Sequence, residues 1–120
     1  MTKKLNLTIG QLGEKIAREY LENKGYKIIA QNYRTKYAEI DLITEKDKTL
    51  VLVEVRTKTG EIFGQPEETI NKKKILKLKR NALAYAAKIG WRGIYRIDAV
   101  CVVLDKNCQL KRINHYADIC

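Results

Sequence analysis

Two neighbouring segments, AEIDLIT at 38–44 and LVLVEVRT at 50–57, constrain the fold more than any other part of the chain. Both are rich in branched apolar residues, and the short polar segment between them favours an antiparallel hairpin in a sheet core. Yet the first segment carries Glu39 and Asp41, and the second carries Glu54. Charged side chains are rare in a buried sheet unless they are paired or bind a metal, so these acids need a physical reason.

The register of this hairpin decides whether the acids meet. If Asp41 lies opposite Glu54, then Glu39 lies opposite Arg56, and residues 46–49 remain as the turn. A shift by one residue would place the acids of the two strands on opposite faces, and the apolar pattern alone does not exclude it. Charge pairing between Glu39 and Arg56 favours the first register. That register predicts one acidic cluster at one end of the hairpin.

The rest of the chain predicts two amphipathic helices and three further strands. Thr8 and Gln11 form a capping box for the first helix. The predicted elements are a helix at 8–24, a strand at 26–30, the hairpin, a loop at 60–68, a helix from Pro66 to Ile89, and strands at 95–104 and 110–114. Taken together, they predict one domain over residues 1–120, with an α/β fold in which helices flank a mixed sheet of about five strands.

The facing carboxylates favour a divalent cation. Two opposed carboxylates repel each other, and a cation between them removes that cost. Because the available ligands are oxygens, Mg²⁺ or Mn²⁺ is the expected metal. Glu14 lies at the border of the apolar face of the first helix and is placed to add a ligand. A solvated hairpin with cross-strand ion pairs is the alternative.

The charge balance points to a polyanionic partner. The net charge is +10, from 24 Lys and Arg against 14 Asp and Glu. This favours nucleic acid first and an anionic membrane surface second. The residues predicted to contact nucleic acid lie on the second helix: Lys73, Lys74, Lys77 and Arg80. A solvated helix face is the alternative interpretation of that stripe.

No apolar segment approaches the roughly 20 residues that span a bilayer, and MTKKLNLTIG has no secretion signal, so we expect a cytoplasmic protein without membrane insertion. Free thiols are expected at the three cysteines in that compartment. A zinc site built from Cys108, His115 and Cys120 is not favoured, because their spacing matches no familiar zinc pattern.

Several segments, taken in order, carry a family resemblance. They are GEKIAREYLENKGYKIIAQNYR, EIDLI, LVLVEVRTKT, FGQPEETINKKK and RIDAV. Over about residues 8–119 the chain resembles the YraN-like family of small bacterial proteins. That family is similar to the restriction-endonuclease-like nucleases of the PD-(D/E)-x-K type, including archaeal Holliday-junction resolvases. The resemblance implies a central sheet flanked by helices, a metal site on a hairpin, and DNA as the partner.

Carried over by position, the resemblance implies a set of metal ligands. The D of the motif matches Asp41, and the E matches Glu54. The backbone carbonyl of Val55 is a further expected ligand. The helix acid of the resolvase-like nucleases matches Glu14, and Glu39 is expected to support the site.

One position departs from the motif, because Arg56 stands where E-x-K has lysine. An arginine stabilises charge on a phosphate but cannot accept a proton at ordinary pH. Lys58, two residues along the same face, is placed to supply the missing amine. The expected function is a metal-dependent endonuclease that hydrolyses DNA phosphodiesters, including branched or flapped DNA. The alternative is a non-catalytic nucleic-acid-binding module that keeps the nuclease fold. A homodimer is a further expectation, because resolvase-like enzymes commonly act as dimers.

Overall fold

The computed structural model describes residues 7–62 and 64–120, and in that part of the chain the helices and strands follow the predicted order. They are α1 (Ile9–Asn23), β1 (Lys27–Arg34), β2 (Glu39–Lys46), β3 (Thr49–Thr59), a 3₁₀ turn (Pro66–Thr69), α2 (Lys72–Ile89), β4 (Tyr95–Leu104) and β5 (Leu110–Tyr116). Residues 1–6, part of the segment predicted to lack a secretion signal, lie outside the described part of the chain. Phe63, in the predicted loop at 60–68, also lies outside it.

The five strands form one mixed sheet. Their spatial order is β1-β2-β3-β4-β5. Strands β3 and β4 are parallel, and the other neighbouring pairs are antiparallel. Helix α2 lies in the crossover between the two parallel strands, as parallel pairing requires. The predicted fold class is therefore confirmed: the chain is an α/β protein with a five-stranded mixed sheet flanked by two helices, consistent with a restriction-endonuclease-like fold.

The sheet separates two hydrophobic layers, and β3 contributes to both. Val51, Val53 and Val55 belong to the layer covered by α1, whereas Leu50 and Leu52 belong to the layer covered by α2. This division follows strand alternation, which sends successive side chains to opposite faces. Strand β3 is thus the central, doubly covered strand, and a charged residue on it must be paired.

The hairpin has the predicted register but a shorter turn. Ile43 is paired with Leu52, which agrees with the register that opposes Asp41 to Glu54. The turn consists of Asp47 and Lys48, both at positive φ (50° and 63°), instead of residues 46–49. A two-residue turn of this kind matches the twist of the flanking strands, so both strands extend further than predicted.

The second helix begins later than predicted. Residues Pro66–Thr69 form a 3₁₀ turn, and α2 begins at Lys72 after the non-helical residues Ile70 and Asn71. Asn71 caps α2, since its Oδ1 accepts a hydrogen bond from the Lys74 backbone at 2.9 Å. The 3₁₀ turn is instead tied to β5, where Arg112 binds the Glu67 carboxylate at 2.8 and 3.0 Å. These two anchors explain the separate start of α2.

A buried polar network around Asp98 links β4 to β5 and to the residues that follow β5. Asp98 is fully buried and accepts hydrogen bonds from Arg96 at 2.9 Å, His115 at 2.7 Å and the Asp118 backbone at 2.9 Å. Burial acts to raise the pKa of Asp98, but these hydrogen bonds outweigh it and hold the pKa below its ordinary value. His115 is therefore engaged with a structural acid. Cys108 and Cys120 are exposed, and neither joins it in a metal-ligating group within the described residues.

Within the described residues, neither helix combines the length and the apolar character needed to cross a membrane.

Helix α1 approaches β3 unusually closely at Gly13. A Cβ atom at this position would lie 1.8 Å from Oγ1 of Thr57 and 2.7 Å from its Cβ. No rotamer of Thr57 removes the second contact, because Cβ is fixed by the backbone of β3. The absence of a side chain at Gly13 is therefore what allows α1 to lie directly over β3.

Gly13→Ala should destabilise the protein by about 1–3 kcal/mol, because it overpacks this contact. Gly10→Ala is the matched control, since a Cβ there would meet Thr8 Oγ1 only at 4.0 Å. Alanine is favoured over glycine in a helix by up to about 1 kcal/mol, so the control should be neutral or stabilising. Urea unfolding measures both. Equal effects of the two variants would contradict the close approach.

Candidate metal centre

Three carboxylates converge where α1 crosses β2. Glu14 comes from α1, and Glu39 and Asp41 come from β2. One ligand oxygen from each lies within 4.8 Å of the others, and all three residues are half-buried. Within the described part of the chain this is the one group of three or more potential metal-ligating residues. We call these three residues the acid group.

Local backbone geometry brings the acid group together. The contact of Gly13 with β3 brings the neighbouring residue Glu14 close to the sheet. In β2, Ile40 and Ile43 both belong to the layer under α2, although strict alternation would place residues three apart on opposite faces. The strand alternation is therefore interrupted around Asp41, which lies with Glu14 on the α1 side.

Asn32 is part of this site, although no sequence pattern predicts it there. The pairing of Gln31 with Leu42 in the sheet places Asn32 opposite Asp41. With its amide nitrogen turned toward the acids, Asn32 donates hydrogen bonds to Glu14 Oε1 at 2.8 Å and Glu39 Oε1 at 3.1 Å. Its φ of 50° is a conformation that asparagine tolerates better than most residues. An asparagine inside a strand was the available signal, but it specifies no partner.

Asp41 is the most perturbed member of the acid group. The recorded β2–β3 pairs end at Leu42 and Val53, and beyond them Asp41 Oδ2 accepts a hydrogen bond from the Val55 backbone at 2.8 Å. Burial, followed by the negative charge of Glu54, raises the pKa of Asp41 to about 8. Burial and the charge of Glu39 also raise the pKa of Glu14. The acid group thus holds more negative charge than its surroundings stabilise.

Glu54 lies beside the acid group but points to different partners. Its side chain is 5% exposed, and Oε2 lies 3.1 Å from both Arg56 Nε and Lys74 Nζ. It is outside the 4.8 Å acid group, yet its charge contributes to the raised pKa of Asp41. We call Glu54, Arg56 and Lys74 the ion-pair group. The predicted single cluster therefore consists of two adjoining groups.

The predicted Glu39–Arg56 pair is wrong. Glu39 instead pairs with Arg34, whose Nη2 lies 3.4 Å from Glu39 Oε2. The Arg34 side chain is 80% exposed. Arg56 follows Glu54 toward the α2 side of β3, whereas Glu39 lies with Glu14 on the α1 side. The buried Nε of Arg56 lies near Glu54 but makes no hydrogen bond to it. The two side chains are therefore held together by the attraction of opposite charges.

Lys58 does not take the place of the missing lysine at Glu54. It lines a cavity of about 210 Å³ together with Glu14 and Arg56, but its Nζ lies beside the loop at Gly64. The amine that reaches Glu54 comes from Lys74 on α2.

Lys74 also corrects the predicted nucleic-acid-binding stripe. Lys73, Lys77 and Arg80 are exposed, as that prediction requires, whereas the Lys74 side chain is only 27% exposed and faces the sheet. At 100° per residue, position 74 lies within about 40° of Leu78, which is buried under α2. Lys74 therefore belongs to the buried face of the helix, and the other three residues form what we call the basic face.

The donor set of the acid group fits a hard divalent cation. It offers carboxylate oxygens from Glu14, Glu39 and Asp41, which suit Mg²⁺ or Mn²⁺ better than zinc or copper. Burial and, after it, the charge of Glu54 raise the pKa of Asp41, and a bound cation would stabilise the ionised carboxylate against both. The Val55 N–H at Asp41 brings that backbone to the cluster, and ligation by the Val55 carbonyl stays a prediction.

Comparison with known proteins identifies the family. The model of the uncharacterised protein family UPF0102 matches residues 13–102. The chain belongs to the UPF0102 family. A UPF0102 protein of Alkaliphilus metalliredigens is 38% identical over 112 residues, which cover 92% of this chain and 98% of that relative. One from Caldanaerobacter subterraneus is 40% identical over 116 residues, covering 94% and 95%. One from Syntrophomonas wolfei is 46% identical over 81 residues, covering 68% and 70%. The YraN-like resemblance is thereby confirmed.

The perturbed carboxyl group makes stability depend on pH in a defined direction. Because the pKa of Asp41 is raised from 3.8 to about 8 in the fold, the folded state binds the extra proton between these values. In EDTA, the stabilisation of wild type relative to Asp41→Asn should be greatest near pH 4 and should decline until about pH 8. Urea unfolding at several pH values measures this difference. Asp47→Asn, in the exposed turn, is the matched control. A difference between wild type and Asp41→Asn that is constant over this range would contradict the prediction.

Proposed function

We propose that this UPF0102 protein is a metal-dependent endonuclease that hydrolyses DNA phosphodiesters. The observation that carries the proposal is the convergence of Glu14, Glu39 and Asp41 within 4.8 Å, directly beside the cations of the ion-pair group. Carboxylates that hold a metal next to cations that hold a phosphate are the combination that phosphodiester hydrolysis needs.

The chemistry is divided between the two groups. A bound Mg²⁺ or Mn²⁺ supplies Lewis acidity toward the phosphate and lowers the pKa of water. Glu14, Glu39 and Asp41 would hold the ion, and Asn32 would orient two of these carboxylates through its amide. Arg56 supplies a permanent positive charge for the phosphate oxygens.

The hydrolysis consumes one water molecule. The water oxygen bonds to phosphorus, one phosphorus–oxygen ester bond breaks, and the departing ester oxygen receives a proton. The products are therefore a phosphomonoester end and a hydroxyl end. No oxidant or further substrate is needed.

The basic face supports DNA as the substrate. Lys73, Lys77 and Arg80 are exposed on α2. They adjoin Lys74, the residue of the same helix that binds Glu54. A backbone lying on this face would therefore run past the site. With a net charge of +10, the protein has the electrostatic character expected for such a partner, and branched or flapped DNA is included in the proposal.

A non-catalytic DNA-binding module remains the second candidate because one observation favours it. Glu54, the acid of the E-x-K motif, is already neutralised by two cations, and Arg56 stands at the lysine position. In such a module the fold and the basic face would be retained, while the acid group would have no catalytic task.

Mg²⁺- or Mn²⁺-dependent cleavage of linear, flapped and four-way DNA tests the proposal. We expect cleavage by wild type and a loss of at least about 100-fold in Asp41→Asn, the size of effect seen when one group that stabilises the transition state is removed. Asp47→Asn should cleave like wild type. DNA binding with no Mn²⁺ affinity and no cleavage would reject the nuclease in favour of the binding module.

A second prediction concerns the salt dependence of DNA binding by the basic face. If Lys73, Lys77 and Arg80 each neutralise one phosphate of duplex DNA, replacing all three with alanine should reduce the slope of log K against log salt by about 2.7. Fluorescence anisotropy in Ca²⁺, over a range of salt concentrations, measures the slope. The control replaces Lys15, Lys27 and Lys106, three exposed lysines outside α2. If the control changes the slope as much, the basic face is not the contact.

A further inference from the structure

One lysine lies in the buried stripe of α2. At 100° per residue, Leu78, Asn81 and Tyr85 lie within about 40° of Lys74 around the helix axis. These three residues are buried, with exposed fractions of 8%, 1% and 6%. Lysine is rarely placed in such a stripe unless a partner balances its charge, so its position needs a specific reason.

The partner of Lys74 is Glu54, but charge neutralisation alone does not account for the lysine. Lys74 Nζ lies 3.1 Å from Glu54 Oε2, and Arg56 Nε lies at the same distance from the same oxygen. One carboxylate thus faces two cations, and the ion-pair group carries a surplus positive charge. The Lys74 side chain is 27% exposed, so it is partly open to solvent. A surplus positive charge on a partly exposed side chain suits an anionic ligand such as a phosphate.

The backbone of Lys74 is held in place. Its N–H donates to Asn71 Oδ1 at 2.9 Å, which makes Lys74 the third residue of α2, within the capped first turn. Leu78, one turn later, anchors the same face in the core. The amine therefore starts from a fixed point on a rigid element, as a group that must contact a reacting phosphate requires.

We propose that Lys74 is a catalytic residue of this site and that its ammonium contacts the phosphate under attack. This inference rests on the proposed nuclease function. Lys74 supplies from a helix the amine that the E-x-K motif supplies from a strand, while Arg56 occupies the strand position. Lys58 does not serve this role, because its Nζ lies beside Gly64.

Three single variants separate this role from a structural one. Lys74→Met should lower the cleavage rate by at least about 100-fold. Lys79→Met, an exposed lysine of the same helix outside the basic face, and Lys106→Met, in the turn before β5, should each change the rate by less than about threefold. Calorimetry should give Lys74→Met a Mn²⁺ affinity no weaker than that of wild type, because Lys74 is not a ligand in the proposed site. Urea unfolding establishes that each variant is folded.

Arg56→Lys provides the rescue. In the Lys74→Met background it returns an amine to the strand beside Glu54 and should restore cleavage at least tenfold. Cleavage by Lys74→Met at the rate of Lys79→Met would overturn the inference and leave the nuclease proposal intact. A Mn²⁺ affinity that falls in proportion to cleavage would also overturn it, since Lys74 would then only support the metal site. Absence of cleavage by wild type on every substrate would overturn the proposed function itself, and this inference with it.

Discussion

The hydrogen bond from the Val55 backbone to Asp41 is the contact on which the geometry of the site depends. Strands β2 and β3 come together through a ladder of backbone hydrogen bonds, but this ladder ends at Leu42 and Val53. One residue further, a carboxylate oxygen accepts the N–H of the opposite strand at 2.8 Å. Asp41 is therefore held by the sheet itself, next to Glu14 and Glu39 and within reach of the charge of Glu54. A carboxylate held in this way does not swing away from its neighbours. Burial and the charge of Glu54 raise the pKa of Asp41 to about 8, although the Val55 hydrogen bond acts in the opposite direction.

The acidic and basic side chains around Asp41 lie toward different helices. Negative charge accumulates on the α1 side, where Gly13 allows the helix to bring Glu14 against β2. Positive charge accumulates on the α2 side, where Arg56 and Lys74 meet at Glu54. A phosphodiester with its metal ion has the complementary arrangement, since the cation would lie by the carboxylates and the anionic phosphate by the ammonium and guanidinium groups. The acid group satisfies its charges only in part, through the exposed Arg34 at Glu39 and the Asn32 amide at Glu14 and Glu39.

Much of the fold follows from local sequence rules, and the outcome differs by element. The capping box of α1 is present, because Thr8 and Gln11 exchange hydrogen bonds at 3.1 and 3.0 Å. The predicted hairpin register is also observed, although the Glu39–Arg56 pair that favoured it does not form. Helix α2 begins later than predicted because proline and two acids are also compatible with a 3₁₀ turn, and Arg112, far along the chain, binds Glu67 there. The Glu39–Arg56 pair fails for a related reason: strict alternation does not hold around Asp41, and sequence periodicity contains no signal for that interruption.

Helical geometry distinguishes Lys74 from the other lysines of α2. A run of lysines, KKKILKLKR, is easily assigned as a whole to the solvent side of an amphipathic helix. Helical geometry divides the run, because Lys73 lies about 100° from Lys74 whereas Leu78 lies only about 40° away. A charged residue at the centre of a buried stripe has the same significance as an acid within a core strand: each requires a partner, and the nearest element can supply it. The unexplained acid on β3 and the unexplained lysine on α2 are each other's partner. Interrupted hydrophobic patterns on two adjoining elements can therefore predict a contact between them that neither element predicts alone.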